Sequence, residues 1–248
     1  MLDLLKTQCL IHLNELDIAI ESLKDAEKNR TLKNNNKFPF IELQFIISIR
    51  LEKYQAAIIE YEKVFYQKKL THSRIYNESW GQYGLLLLLL IRLNKIPPSE
   101  RLDRIKPKLR LGKLMNELPE FSKDKAGQNL AIRILQVLIL LTSKKYEAFE
   151  DALPSLQAYI HRYKRYYPEI FRCDLMVKML SAIPKVDYNV ERVAWRAKPH
   201  LEKMMVSPEE LPLKITEMEV IPYEKIWQFV LEFLGTLKRR PYSSKSRL

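Results

Sequence analysis

The chain has 248 residues, 47% of them apolar, and its 42 lysines and arginines against 30 aspartates and glutamates leave a net charge of +12. That apolar content excludes wholesale disorder, and two cysteines, Cys9 and Cys173, cannot build a secreted disulfide framework, so an intracellular, reducing setting is expected. The cationic excess points to an anionic partner, whether acidic protein, nucleic acid or membrane surface.

The five glycines (Gly81, Gly84, Gly112, Gly127 and Gly235) form no G-x-G-x-x-G or P-loop spacing, which excludes a phosphate cradle of that kind. Period-2 runs closed by Asn-Gly or Asp-Gly are missing, so the chain reads as all-α. The start, Met1-Leu2-Asp3-Leu4-Leu5-Lys6, lacks a basic region ahead of an apolar stretch and does not read as a secretory signal. The most apolar run, Leu85 to Ile91, is seven residues, whereas a spanning helix needs about 20. It reads as a helix buried between neighbours.

Taken in chain order, the first expected helix covers 2–13, with Leu2, Leu5, Cys9 and Leu13 on one side. It begins without a capping residue, and solenoid ends ordinarily carry polar caps. The chain is therefore expected to be the carboxy-terminal part of a longer array. A second helix over about 17–32 leads through the polar loop Lys33-Asn34-Asn35-Asn36-Lys37 to Pro39, a good first-turn residue. Helices are then expected over about 39–51 and 54–69. These two pairs look like copies set 38 residues apart: Ala19, Ile20, Leu23 and Ala26 recur as Ala57, Ile58, Tyr61 and Val64.

The next helix starts near Ser73 or Asn77 and stops at Asn94, before Pro97-Pro98. Within it Gly81 and Gly84 lie about one turn apart, which suits close packing. Ser99 reads as the N-cap of a short helix, and Pro107 as the start of another running to about Leu118. A helix capped by Ser122 or Asp124 runs through Leu141. After Lys144-Lys145 its partner carries Tyr146, Phe149, Leu153, Leu156 and Tyr159 to Tyr163, with Pro154 expected to kink or split it. Helices near 168–182, 190–205 and 222–237 complete about ten to twelve, followed by a basic tail over 238–248 that is expected to be disordered.

The helical pairs resemble degenerate tetratricopeptide repeats, with Ala19 and Ala26, then Ala57 and Val64, at that motif's small second-helix positions. The small first-helix position is Thr7 in the first copy but bulky Phe45 in the second. The segments Phe121 to Asn129, Ile134 to Leu138, Tyr146 to Phe149, Tyr159-x-x-Arg162-Tyr163 and Ile221 to Trp227 resemble uncharacterised helical-repeat proteins of Bacteroidetes. That second resemblance implies the carboxy-terminal part of a bacterial tetratricopeptide-like protein and carries no activity with it. Together they imply an α-solenoid of antiparallel helix pairs. One domain is expected over 1–237, with two repeat-like hairpins over 1–70 and atypical helical pairs over 71–237.

No catalytic constellation emerges. His12, His72, His161 and His200 form no H-E-x-x-H, and Cys9 with His12 supplies only half of the four ligands that a structural zinc needs. Neither a metal nor a cofactor is expected. Three basic clusters remain as partner-binding candidates. Arg101, Arg104 and Lys108, with Lys106, Arg110 and Lys113, form a strip opposed only by Asp103. Lys123, Lys125 and Asn129 lie at a helix start, where an anion is favoured. Arg162, Tyr163 and Arg165 mix aromatic rings with cations, as single-stranded nucleic acid sites do. Each has a plainer reading as a solvated helix face, a cap or a packing stripe. The expected function is a non-enzymatic protein-interaction scaffold in a bacterial cytoplasm, binding an acidic peptide or helix on a concave surface. Nucleic-acid binding through the same basic surface is the alternative.

Overall fold

The computed structural model describes residues 2–28, 38–66, 74–117, 126–164, 170–205 and 219–237, which contain twelve α-helices and no strand. The helices gather into two compact units, residues 1–120 with 215–221 and residues 121–214 with 222–248. Among the described residues no helix is long and apolar enough to cross a membrane.

The first unit holds α1 (Leu2–His12), α2 (Leu16–Lys28), α3 (Phe38–Arg50), α4 (Tyr54–Tyr66), α5 (Arg74–Arg92), α6 (Glu100–Ile105) and α7 (Leu111–Glu117). The second holds α8 (Ala126–Thr142), α9 (Tyr146–Lys164), α10 (Phe171–Ala182), α11 (Val190–Met204) and α12 (Tyr223–Thr236). Packing follows chain order: α1 lies on α2, α3 on α4, α8 on α9 and α10 on α11, while α2 also meets α3 and α9 meets α10.

One turn geometry recurs four times and explains the pairing. In Leu13-Asn14-Glu15, Leu51-Glu52-Lys53, Leu93-Asn94-Lys95 and Ser143-Lys144-Lys145 the middle residue is left-handed, with φ of 60°, 58°, 55° and 59°. The residue after it donates its N–H five residues back, Glu15 to Leu10, Lys53 to Ser48 and Lys95 to Leu90 at 2.9 Å, and Lys145 to Leu140 at 3.0 Å. The middle N–H bonds three residues back, so the orphan carbonyls of each helix end are satisfied in the Schellman manner. In three of the four the next helix starts at once. The carbonyls of Glu15, Lys53 and Lys145 accept from Ala19, Ala57 and Phe149 at 2.9, 3.1 and 2.9 Å. So short a connection leaves the chain no course but back along the helix it has just made.

The same offsets fill the interior of each hairpin. Ala19, Leu23 and Ala26 after the first turn, Ala57, Tyr61 and Val64 after the second, and Phe149, Leu153 and Leu156 after Lys145 are all buried. Full burial of each large apolar side chain stabilises by about 1.5–3 kcal/mol. Thr7 and Phe45, at equivalent places in α1 and α3, are both fully buried by different means. The Thr7 hydroxyl bonds the Asp3 carbonyl and the Ser22 hydroxyl, each at 2.9 Å. Phe45 instead joins an aromatic group, with ring centroids 4.8 Å from Tyr83, 5.5 Å from Trp80 and 6.3 Å from Tyr61. The bulky residue fits because α5 supplies rings to surround it.

Local expectations fare unevenly. Ser99 caps α6, accepting from the Leu102 N–H at 3.2 Å, and Asn189 caps α11 through Arg192 at 2.9 Å. Pro107, expected to begin a helix, lies instead in the turn after α6. There Lys108 and Leu109 bond the carbonyls of Ile105 and Lys106 at 2.8 and 3.0 Å, Leu109 is buried, and α7 begins at Leu111. Pro154 does not split its helix; α9 runs through it. The loop over 33–37 and the tail over 238–248 lie outside the described residues.

Candidate functional site

The basic strip of the first unit is partly neutralised from a distant part of the chain. Arg101 Nη1 lies 2.7 Å from Glu62 Oε2, and Arg104 Nε lies 2.7 Å from Glu62 Oε1. The Glu62 side chain is only 7% exposed while the two arginines are about half exposed, so α4 presents one buried carboxylate to two cations from α6. The hydrogen bond from Arg104 is the main cause holding Glu62 below the ordinary carboxylate range. Burial pulls the other way, and the bond from Arg101 reinforces the lowering. Lys106 pairs with Asp103 at 2.6 Å, and Lys108 and Arg110 stay exposed.

Of the second cluster, Lys123 and Lys125 lie outside the described residues, and Asn129 sits half-buried in α8. Of the third, Arg165 lies outside them, Arg162 is exposed near the end of α9, and Tyr163 stacks on Tyr159 with centroids 4.6 Å apart. Arg133 of α8 places its guanidinium 5.0 Å from the Tyr159 ring, so the aromatic pair is engaged across the α8–α9 hairpin.

A site that none of these clusters includes lies on α10 and α11. An open groove of about 530 Å³ is lined by Lys178, Ala182, Lys185, Trp195, Arg196, Lys198, Pro199, His200 and Glu202. Trp195 is 76% exposed, whereas Trp80 and Trp227 are buried. Four cations face one carboxylate along this lining, giving a local excess of positive charge. Lys178 is shared with Asp174 at 3.0 Å and Lys198 lies 3.8 Å from Glu202, while Lys185 and Arg196 form no ion pair among the described residues. One turn before Lys178 on α10, Asp174 is buried and held by Lys164 and Lys178. Burial raises its proton affinity, but the two lysine hydrogen bonds outweigh that and leave it below the ordinary range. Burial, with Lys178 and Lys203 nearby, holds His200 below the usual imidazole value, so it faces the groove neutral at pH 7.

Sequence carried a signal for Trp195 that charge counting passes over. The α11 core residues Val193 and Ala197 are one turn apart, and Trp195, two residues from each, falls on the opposite side of the wheel. A large ring on the polar side of a strongly amphipathic helix lies out of phase with any packing role.

A second cleft, of about 810 Å³, opens beside the turn residues Lys144, Asp187 and Tyr188, the start of α11 and the end of α12. Tyr188, whose hydroxyl donates to Glu150 at 2.7 Å, stacks edge-on with Tyr146 at 4.8 Å, so its aromatic wall is already engaged. Among the described residues no three or more His, Cys, Asp or Glu side chains converge as a metal set would. No family model, curated protein or solved structure matches this chain.

Proposed function

We propose that this chain is a non-enzymatic protein-interaction scaffold whose α10–α11 groove takes an acidic peptide segment with an apolar anchor. The observation that carries this reading is Trp195, an exposed ring set among Lys178, Lys185, Arg196 and Lys198. Tryptophan and arginine are enriched in interface hot spots: the indole buries a large area with only two rotatable bonds, and the guanidinium pairs with carboxylates. Lysines around the rim steer an acidic segment in and penalise basic ones. In this reading the hairpins continue as a right-handed tetratricopeptide-like α-solenoid in a bacterial cytoplasm. The strip at Arg101 and Arg104 is then a weaker site, because Glu62 already occupies the guanidinium groups.

The test is a fluorescence titration with a synthetic peptide of glutamates around one central phenylalanine. Binding is expected to be saturable, to move the emission of Trp195 and to be lost in Trp195→Ala. An unchanged emission, or full binding by Trp195→Ala, overturns the reading. An exposed ring among cations is also what a single-stranded nucleic acid stacks on, which supports the alternative. A thymidine oligonucleotide that binds with a steep salt dependence, where the acidic peptide does not bind, would replace the peptide by nucleic acid.

A further inference from the structure

Helix α11 carries a proline in its interior, Pro199, and continues through it to Met204. Proline has no backbone N–H, so the carbonyl four residues earlier lacks the donor it would have in an unbroken helix. That carbonyl belongs to Trp195. Both residues are exposed, they lie one turn apart, and both line the α10–α11 groove. A helical carbonyl points along the axis toward the residue four ahead, so the Trp195 oxygen lies on the groove wall between the indole and the pyrrolidine ring. Helix α9 has the same break at Pro154, yet neither Pro154 nor Glu150, whose carbonyl it frees, lines either cleft described above.

The groove thus joins an aromatic ring, an excess of cations and a backbone acceptor. Acidic side chains satisfy the cations but not a carbonyl, which needs an N–H or O–H donor. A helical ligand has few backbone donors to give, since its N–H groups beyond the first turn are already bonded within it. An extended chain keeps its N–H groups free and sends alternate side chains to opposite faces. We propose that the partner enters this groove as an extended acidic segment and donates one backbone N–H, beside its apolar anchor, to the Trp195 carbonyl. The proposal rests on the reading of the groove as an acidic-peptide site and adds the partner's conformation. The new bond replaces one to solvent, so it carries the weight of an ordinary hydrogen bond, about fivefold in affinity.

The test is a thermodynamic cycle on the intact chain with the phenylalanine-centred glutamate peptide. N-methylation of its backbone, one residue at a time, removes single donors. One position at or beside the phenylalanine should weaken binding about fivefold. Pro199→Ala returns a donor to the Trp195 carbonyl from within the helix. That variant should melt no lower than wild type, because proline is the least favourable residue in a helix interior. It should bind the unmodified peptide about fivefold more weakly and be indifferent to N-methylation at the sensitive position. A form of the peptide stapled into a helix should bind wild type more weakly than the linear form. If Pro199→Ala fails to fold, the scan on wild type and the stapled peptide decide. The inference is overturned if no N-methylated position weakens binding, if the sensitive position loses as much in Pro199→Ala as in wild type, or if the stapled form binds as tightly as the linear one. In each of these results the peptide still binds through Trp195 and the reading of the groove stands; absence of Trp195-dependent binding removes both.

Discussion

Arg104 Nε and Glu62 Oε1 meet at 2.7 Å although 42 residues separate them in the chain. This pair, with Arg101 on the other carboxylate oxygen, ties α6 to α4 and takes part of a basic strip out of use. Replacing Glu62 by alanine leaves two neighbouring arginines without their shared counter-ion. Since both arginines are about half exposed, water screens much of the loss. The expected cost is about 1–2 kcal/mol, below the 3–5 kcal/mol of a fully buried pair. The midpoint of urea unfolding measures it. The same variant should bind the acidic peptide at least as well as wild type, because it removes a negative charge from the basic strip.

Acid should destabilise the fold through Glu62 and Asp174, both held below their ordinary values of 4.5 and 3.8. A carboxylate with a depressed folded-state pKa contributes stability that is fully present above the unfolded value and is lost as pH falls through the folded one. The melting temperature should therefore be flat with respect to these groups above pH 4.5 and fall below it. Asp174→Asn should melt lower than wild type at pH 7 and lose part of the acid dependence. An acid slope identical in the variant and the wild type would contradict the assignment.

Gly84 and Gly235 should respond oppositely to alanine. A Cβ at Gly84 would run into the Tyr61 hydroxyl and sit 2.8 Å from Leu114 Cδ2, so these two buried side chains would have to shift. Overpacking of this kind costs about 1–3 kcal/mol, more than the gain in helix propensity of about 1 kcal/mol. At Gly235 nothing lies within 4 Å of the added carbon, and α12 should gain about 0.5–1 kcal/mol. Thermal melts of the two single variants decide the matter by their opposite signs.

Lys144 holds a φ of 59° at the Schellman position of the α8–α9 turn. A side chain there costs about 1–2 kcal/mol relative to a right-handed conformation, and glycine avoids that strain at some cost in unfolded-chain entropy. Lys144→Gly should therefore stabilise by roughly 0.5–1 kcal/mol. Asn14→Gly should gain less, since asparagine already tolerates this region. Guanidinium unfolding of the two variants would show the ranking.

Much of the all-helical architecture is legible in the chain because helix burial repeats at short, regular spacing. Ala19, Leu23 and Ala26 announce their helix and its inner side, and the copy at Ala57, Tyr61 and Val64 repeats it. Ser99 is readable as a cap because capping is a contact over three residues. Pro107 misleads because a first-turn helix and a tight turn accept the same proline φ; the burial of Leu109 settles which one forms.

The candidate site divides along the same line. Local pattern alone determined that the chain is helical, paired and rich in exposed cations, because helical phase and net charge are properties of neighbours in sequence. Only the folded chain decided which cations are committed and which surfaces stay open. Glu62 reaches Arg101 and Arg104 across about forty residues, and the α10–α11 pairing brings Lys178 of α10 and Lys185 of the intervening turn to the groove that Trp195 lines. Charge pairing and exposure depend on distances through space, which no spacing along the chain encodes.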